Sequence, residues 1–239
     1  MIQNLPIYIA IAFAITTFLT LFLFLNALKK SGIKNVGKIF IGFFFWMLIQ
    51  AILGLRGVYH QNLDAIPPKI LLFGIFPTLL LMIFIFSSKA GKIFINQLEI
   101  NYLTLINTIR IFVEIVLYYL FIYKFIPIEM TFEGQNFDVL AGLSAPIIYF
   151  FVFVSKKWSN KILLFWNIIS LALLINIIVL AFLSAPTPFQ KLGFGQANIA
   201  ILYFPFVWLP TVIVPMVLFV HIVSIKKIIS NSNACVYRS

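Results

Sequence analysis

Seven stretches of this chain run for about 17–25 residues with almost no charge, long enough as helix to cross a hydrocarbon layer of about 30 Å. They fall near 7–28, 38–55, 70–88, 102–123, 138–154, 162–184 and 201–224. In lipid, backbone groups find no water, so a crossing segment must be a helix or a strand of a closed barrel. The stretches are too long for barrel strands and do not alternate in polarity, so the expected fold is all-α: one transmembrane domain over 1–239, a seven-helix bundle. Composition agrees. The chain is 63% hydrophobic and 10% charged, against roughly 25% charged in soluble domains. Every connection is short, which leaves no room for a soluble domain. The opening MIQNLP lacks the basic flank of a signal peptide, and the run after it is too long for one, so it reads as a retained first span.

The net charge of +11 would suggest nucleic acid in a soluble protein; here it reads first as topology. Lys29, Lys30, Lys34, Lys38, Lys89, Lys92, Lys156, Lys157, Lys161, Lys226, Lys227 and Arg238 fall in alternate connections and the tail. The other connections hold only Arg56, Lys69, Lys124 and Lys191. The basic-rich side is expected to be cytoplasmic, with the N-terminus outside and the C-terminus inside. An odd number of spans preserves this bias.

FPTLLLMIFIFSSK in the third run is similar to LPTVIVPMVLFVHIVSIKK in the seventh, pairing Pro77-Thr78 with Pro210-Thr211. FLFLNALKK and YFFVFVSKK close the first and fifth runs alike. A duplication of 1–95 in 135–230 would give parallel triplets around an inverting fourth span. That plan resembles the SWEET and PQ-loop transporters, although their Pro-Gln dipeptide is absent. Chance likeness between Phe-, Ile- and Leu-rich helices is the plainer alternative.

The fourth run, NYLTLINTIRIFVEIVLYYLF, carries the polar residues Thr104, Asn107, Arg110, Glu114 and Tyr118 at steps of three or four. At 100° per residue they share one helix face. A charge at a helix centre costs about 2.5–3.5 kcal/mol on insertion scales, so the face must meet the bundle interior or a wet cavity. Arg110 and Glu114 are spaced to pair directly. Glu114 could hold a proton or cation and Arg110 an anionic solute; equally, the two could form an ion pair that fixes packing. Gly42, Trp46 and Gln50 line one face of the second run, with Gln50 placed to reach the stripe. Asn167 and Ser170 share a face of the sixth, suited to interhelical hydrogen bonds. Pro146 with Gly142 interrupts the fifth run; Pro205, Pro210 and Pro215 interrupt the seventh. Broken spans at matching places mark transport sites in other folds, though prolines also kink purely structural helices.

Other chemistry lacks its parts. His60 and His221 are expected on opposite sides of the membrane, which argues against a shared metal or haem. Cys235 is the single cysteine. No Ser/His/Asp grouping, phosphate loop or HExxH helix is present, so neither an enzyme nor a cofactor is expected. Glu129, Glu133 and Asp138 in the fourth connection read as solvated acids, or as a collector of cations at a mouth.

RIFVEIVLYYLF, MTFEGQNFDVLAG and LYFPFVWLPTVIVPMVLFVH resemble segments of uncharacterised small bacterial multi-pass membrane proteins. The resemblance covers about half the chain and implies no function. Seven helices with an outside N-terminus also describe microbial rhodopsins, but the last run has no lysine before Lys226 to carry a retinal. The expectation is a small bacterial inner-membrane transporter or channel for a small solute or ion, with Thr104, Asn107, Arg110, Glu114, Tyr118, Gln50, Pro146 and Pro210 along its pathway. The alternative is a heptahelical sensor or scaffold. Expected partners are the lipid bilayer and the solute, not nucleic acid. The Phe-rich outer faces would suit a homo-oligomer as well as lipid.

Overall fold

The computed structural model describes residue 2 and residues 4–236, with side chains to residue 231. Cys235 and Arg238 lie outside the residues whose side chains are described. Among the described residues there are helices and no strand. The long helices are α1 (Ile7–Lys30), α2 (Val36–Leu55), α8 (Asn160–Ser184) and α9 (Val214–Val236). A π-helical turn, Leu71–Ile75, leads into α3 (Phe76–Ser87), which bends by 86° into α4 (Lys89–Gln97). Then come α5 (Ile100–Ile106) and α6 (Ile109–Ile122), followed by α7 (Asp138–Tyr149) with a π-helical turn, Phe150–Val154. Among the described residues five helical segments are long and apolar enough to cross a membrane: Ile7–Lys30, Val36–Leu55, Ile100–Ile122, Asn160–Ser184 and Leu209–Asn231. The bent segment Leu71–Ser87 and the shorter Asp138–Val154 stand beside them.

Two boundaries differ from the sequence expectation. The last helix starts at a π-helical turn, Leu209–Ile213, rather than at 201, and runs on beyond 224. In a helix begun at 201, Pro205 and Pro210 would be interior positions unable to donate to the carbonyls of Ile201 and Phe206; the chain there makes tight turns instead, with Trp208 N–H donating to Pro205 O and Leu209 N–H to Phe206 O. The second difference is α4, which replaces an expected loop. Its KAGKIFINQ sequence is amphipathic, Ser88 Oγ accepts from Gly91 N–H at its start, and Lys227 Nζ donates to Asn96 O at 2.8 Å and to Leu98 O at its end.

The lysine-rich connections gather at one end of the bundle. Lys30 lies over the Tyr102 ring, Lys226 over Phe86, and Glu99 N–H donates to Ser31 Oγ. Ile228 packs near Trp158 and Leu163, which brings the 155–161 connection to the same end. At the opposite end Tyr8 and Tyr123 meet through their hydroxyls, and Phe125 O accepts from Ile199 and Ala200.

α9 packs on α8, α1 on α5 and α6, and α7 on α5, α6 and α8. This is the dense half of the bundle. α2 and α3 lie outside it, with large apolar residues such as Phe44, Phe45, Leu81 and Phe84 exposed. Prolines explain how that outer layer is joined. Pro77 and Pro215 supply no N–H to the carbonyls of Phe73 and Thr211, four residues earlier. Gln50 Nε2 donates to Phe73 O at 3.1 Å and Trp46 Nε1 to Thr211 O at 2.9 Å, so two side chains of α2 satisfy two carbonyls that would otherwise be orphaned. Gly74 completes the joint, because a Cβ there would lie 2.7 Å from Thr211 Cγ2. Gln50 therefore does not reach the polar stripe of the fourth run. Its Oε1 accepts from the buried Tyr59 hydroxyl at 2.6 Å, and burial, only partly offset by that bond, pushes the Tyr59 hydroxyl up to about 12.

Candidate functional site

Arg110 is the largest fully buried side chain among the described residues, 2% exposed. Its helix prepares the position. Between α5 and α6 the backbone tightens to i→i−3 bonds, Thr108 N–H to Leu105 O and Arg110 N–H to Asn107 O. Gly142 of α7 then lets that helix lie against this turn: a Cβ there would be 2.9 Å from Ile111 Cγ1 and 3.0 Å from Ile111 N.

The direct Arg110–Glu114 pair expected from sequence is not what forms. Among the described residues the ion pair of Arg110 is with Asp138, the first residue of α7, which is 5% exposed and not a solvated loop acid. Nε donates to Oδ2 at 2.6 Å and Nη2 to Oδ1, a bidentate fork. Nη2 also donates to Ser170 O at 3.1 Å on α8, and Nη1 meets His221 Nε2 at 3.2 Å on α9. Arginine can only donate, so Nε2 must present its lone pair and the proton sits on Nδ1. His221 Nδ1 then donates to Asn167 Oδ1 at 3.0 Å, and Asn167 Nδ2 to Leu163 O at 2.9 Å. One guanidinium thus ties four helices together.

Glu114, 1% exposed, faces another partner. Its Oε1 accepts from Asn136 Nδ2 at 2.6 Å, while Asn136 Oδ1 accepts from Asp138 N–H. Glu114 Oε2 has no hydrogen-bond partner. Arg110 offsets one carboxylate and His221 is neutral, so a second ionised carboxylate would be an uncompensated buried charge. Glu114 needs a positive counter-charge, either a proton or a cation. Two more orphaned atoms flank the cluster: Asn107 Oδ1, one turn before Arg110, and Ser224 Oγ, one turn after His221. From Thr104 to Glu114 the buried polar face covers about 15 Å at 1.5 Å per residue.

The other expected site residues separate. Thr104 and Asn107 are buried with the stripe and bond backward to Ile100 O and Thr104 O. Tyr118 is half-buried and stacks on Phe132 beyond the cluster. Pro146 is exposed on the outer face of α7, and Pro210 sits in the π-helical turn before α9; neither meets the cluster. The Asn167 side chain bonds between helices, as expected, whereas Ser170 contributes its backbone carbonyl and Asn176 donates to Gln135 O.

Sequence reasoning missed Asp138, Asn136 and His221. Asp138 stood at the edge of an acidic connection and looked solvated. A last span ending at 224 puts His221 near a helix end; the helix runs on, and in Leu209–Asn231 it is central. His60 is remote, stacked on Tyr203. No group of three or more His, Cys, Asp or Glu suited to a metal is present among the described residues. A cavity of about 540 Å³ lies in the outer layer between α2, α3, α4 and α9, and none of its lining residues belongs to the cluster.

An all-helical chain with several membrane-length apolar helices, closing over a buried Arg–Asp–His–Glu cluster, is of the polytopic membrane class. It belongs to the family defined by a domain of unknown function (DUF8737), which matches residues 67–229. That segment runs from the start of the third apolar helix and contains every member of the cluster. No curated protein and no solved structure matches the chain.

Proposed function

We propose that the protein is a small bacterial inner-membrane transporter or channel for a small solute or ion, with the polar row of α5 and α6 on its pathway. In this reading Leu71–Ser87 and Asp138–Val154 cross the membrane with the five longer helices, giving seven spans. The lysine-rich end is cytoplasmic, so the N-terminus lies outside and the C-terminus inside. Spans of this number also fit the plan of two parallel triplets around an inverting fourth span.

One observation supports the pathway above the rest: Glu114 is buried in the cluster with Oε2 free and its charge unmatched. A carboxylate in that state can take up and release a proton or small cation, and intramembrane ionisable groups in transporters serve such steps. Asn107 Oδ1 and Ser224 Oγ extend the row of unused acceptors toward the lysine-rich end.

A second reading, a heptahelical sensor or scaffold, draws on the closed bonding of Arg110, which by itself would serve to lock helices. Flux separates the two. In proteoliposomes carrying a pH-sensitive dye or an alkali-cation indicator, the wild type should move protons or cations, and Glu114→Gln should bring the signal to that of empty vesicles while staying folded. Wild-type flux in Glu114→Gln would remove Glu114 from any pathway. A silent wild type, with Glu114→Gln changing thermal stability alone, would favour the scaffold.

A further inference from the structure

The cavity of about 540 Å³ is within the roughly 300–1,000 Å³ range of small-molecule sites. Gly42 and Phe43 of α2 face Leu81 and Ile85 of α3 across it, and Met216 and Phe219 of α9 form its floor. Nothing lies within 4 Å of where a Cβ on Gly42 would be, so that wall is open. At the lysine-rich end the α3–α4 elbow closes it. Gly91 is required there, since a Cβ would run into the carbonyl of Ile85.

The polar groups on the cavity wall are already engaged. Trp46 Nε1 donates to Thr211 O, Thr211 Oγ1 to Val207 O, and Thr78 Oγ1 to Ile75 O, while Ser88 Oγ accepts from Gly91 N–H. A polar solute would find only the hydroxyl capacity that these bonds leave over on Thr78, Ser88 and Thr211, whereas hydrocarbon needs none. The neighbouring faces of α2 and α3 are exposed and apolar, with Phe44, Phe45 and Phe84 outermost, so entry is sideways from lipid.

Three lysines stand next in sequence to lining residues at the lysine-rich end: Lys38 precedes Ile39 on α2, and Lys89 and Lys92 flank Ala90 and Gly91 on the elbow. All three lysines are exposed, and α2, α3 and α4 contain no acidic residue. Lys227, bonded to Asn96 O and Leu98 O, holds the far end of α4 in place, so this shelf is fixed.

We propose that this cavity holds an acyl chain of an anionic glycerophospholipid from the surrounding bilayer, its phosphate resting among Lys38, Lys89 and Lys92. The inference depends on the membrane location alone and not on transport. Wild-type protein in nanodiscs of mixed phosphatidylglycerol and phosphatidylcholine, released into mild detergent for native mass spectrometry, should keep one lipid per chain. Anionic lipid should be preferred roughly tenfold, since the lysines attract a headgroup of net negative charge, whereas the choline cation of phosphatidylcholine offsets its phosphate. Changing Lys38, Lys89 and Lys92 together to Gln should erase the preference yet leave a lipid bound. Gly42→Leu should lower retention of both lipids, and Leu81→Trp, filling the same space from the opposite wall, guards against a folding defect in one variant. The proposal is overturned by equal retention of the two lipids in wild type, by a preference that survives loss of the lysines, by unchanged retention in a folded filled-cavity variant, or by a non-lipid apolar molecule recovered in place of phospholipid.

Discussion

The two halves of the bundle solve opposite problems. In Leu209–Asn231, 56% of the most apolar window is buried; in α2 the share is 17%. The dense half, α1 with α5 to α9, buries Arg110 and Asp138 as a matched pair and leaves Glu114 with a free oxygen. The outer layer, α2 to α4, buries little, and its polar side chains serve carbonyls that proline left without donors. The lesson is that polarity in a membrane-length helix has two origins. Arg110 and Asp138 are held for each other, and Glu114 is held with a bond to spare. Gln50 and Trp46 are held for the backbone of neighbouring helices. Among the described helical residues Glu114 is the one ionisable group left with an orphaned atom, which is why Glu114 and not Gln50 carries the functional proposal.

The strongest way to break this contrast is to remove one charge from the dense half. Asp138→Ala leaves Arg110 buried without a counter-charge and should cost about 3–5 kcal/mol, read as a large loss of thermal stability in detergent or of folded yield. Arg110→Met combined with Asp138→Leu should recover much of that loss, because an apolar pair of similar volume needs no matching charge. A double variant as damaged as the single would mean that Arg110 is held chiefly by Ser170 and His221.

A smaller effect is expected in the outer layer. Gln50→Leu orphans one buried carbonyl and the Tyr59 hydroxyl, and should cost about 1–3 kcal/mol. Flux through any Glu114 pathway should be unchanged. Lost flux in a stably folded Gln50→Leu would merge the two halves into one functional unit.

The smallest effect sharpens the outer layer alone. Tyr59 lies in the connection after α2, and its folded-state value of about 12 stands above the roughly 10 of a free tyrosine. Below pH 10 both states keep the proton and stability is unaffected. Between 10 and 12 the unfolded state loses its proton first, so folding weakens as pH rises. A thermal-stability profile should show this fall in wild type and a shallower one in Tyr59→Phe.

Much of the architecture was legible in the chain because lipid leaves so few options. Apolar run length located the helices to within a few residues where no proline intervened, as at 38–55 and 162–184. It failed at 201–208, where Pro205 and Pro210 withheld donors from an otherwise helical pattern, and again beyond 224, where the helix runs on and leaves His221 central. The stripe from Thr104 to Glu114 was legible too, since helical spacing alone places those residues on one face.

Sequence by itself determined that several helices must cross lipid, that lysines gather at alternate connections, and that the face bearing Arg110 must point inward. Each follows from local rules: hydrophobic length, charge cost and 3.6-residue periodicity. Only the tertiary structure decided the partners. Spacing along one helix offered Glu114 to Arg110, but the close approach of α7 at Gly142 brought Asp138 to it instead, and α9 added His221. Which buried groups meet depends on how helices distant in sequence dock, and the free Oε2 of Glu114 is what that docking left over.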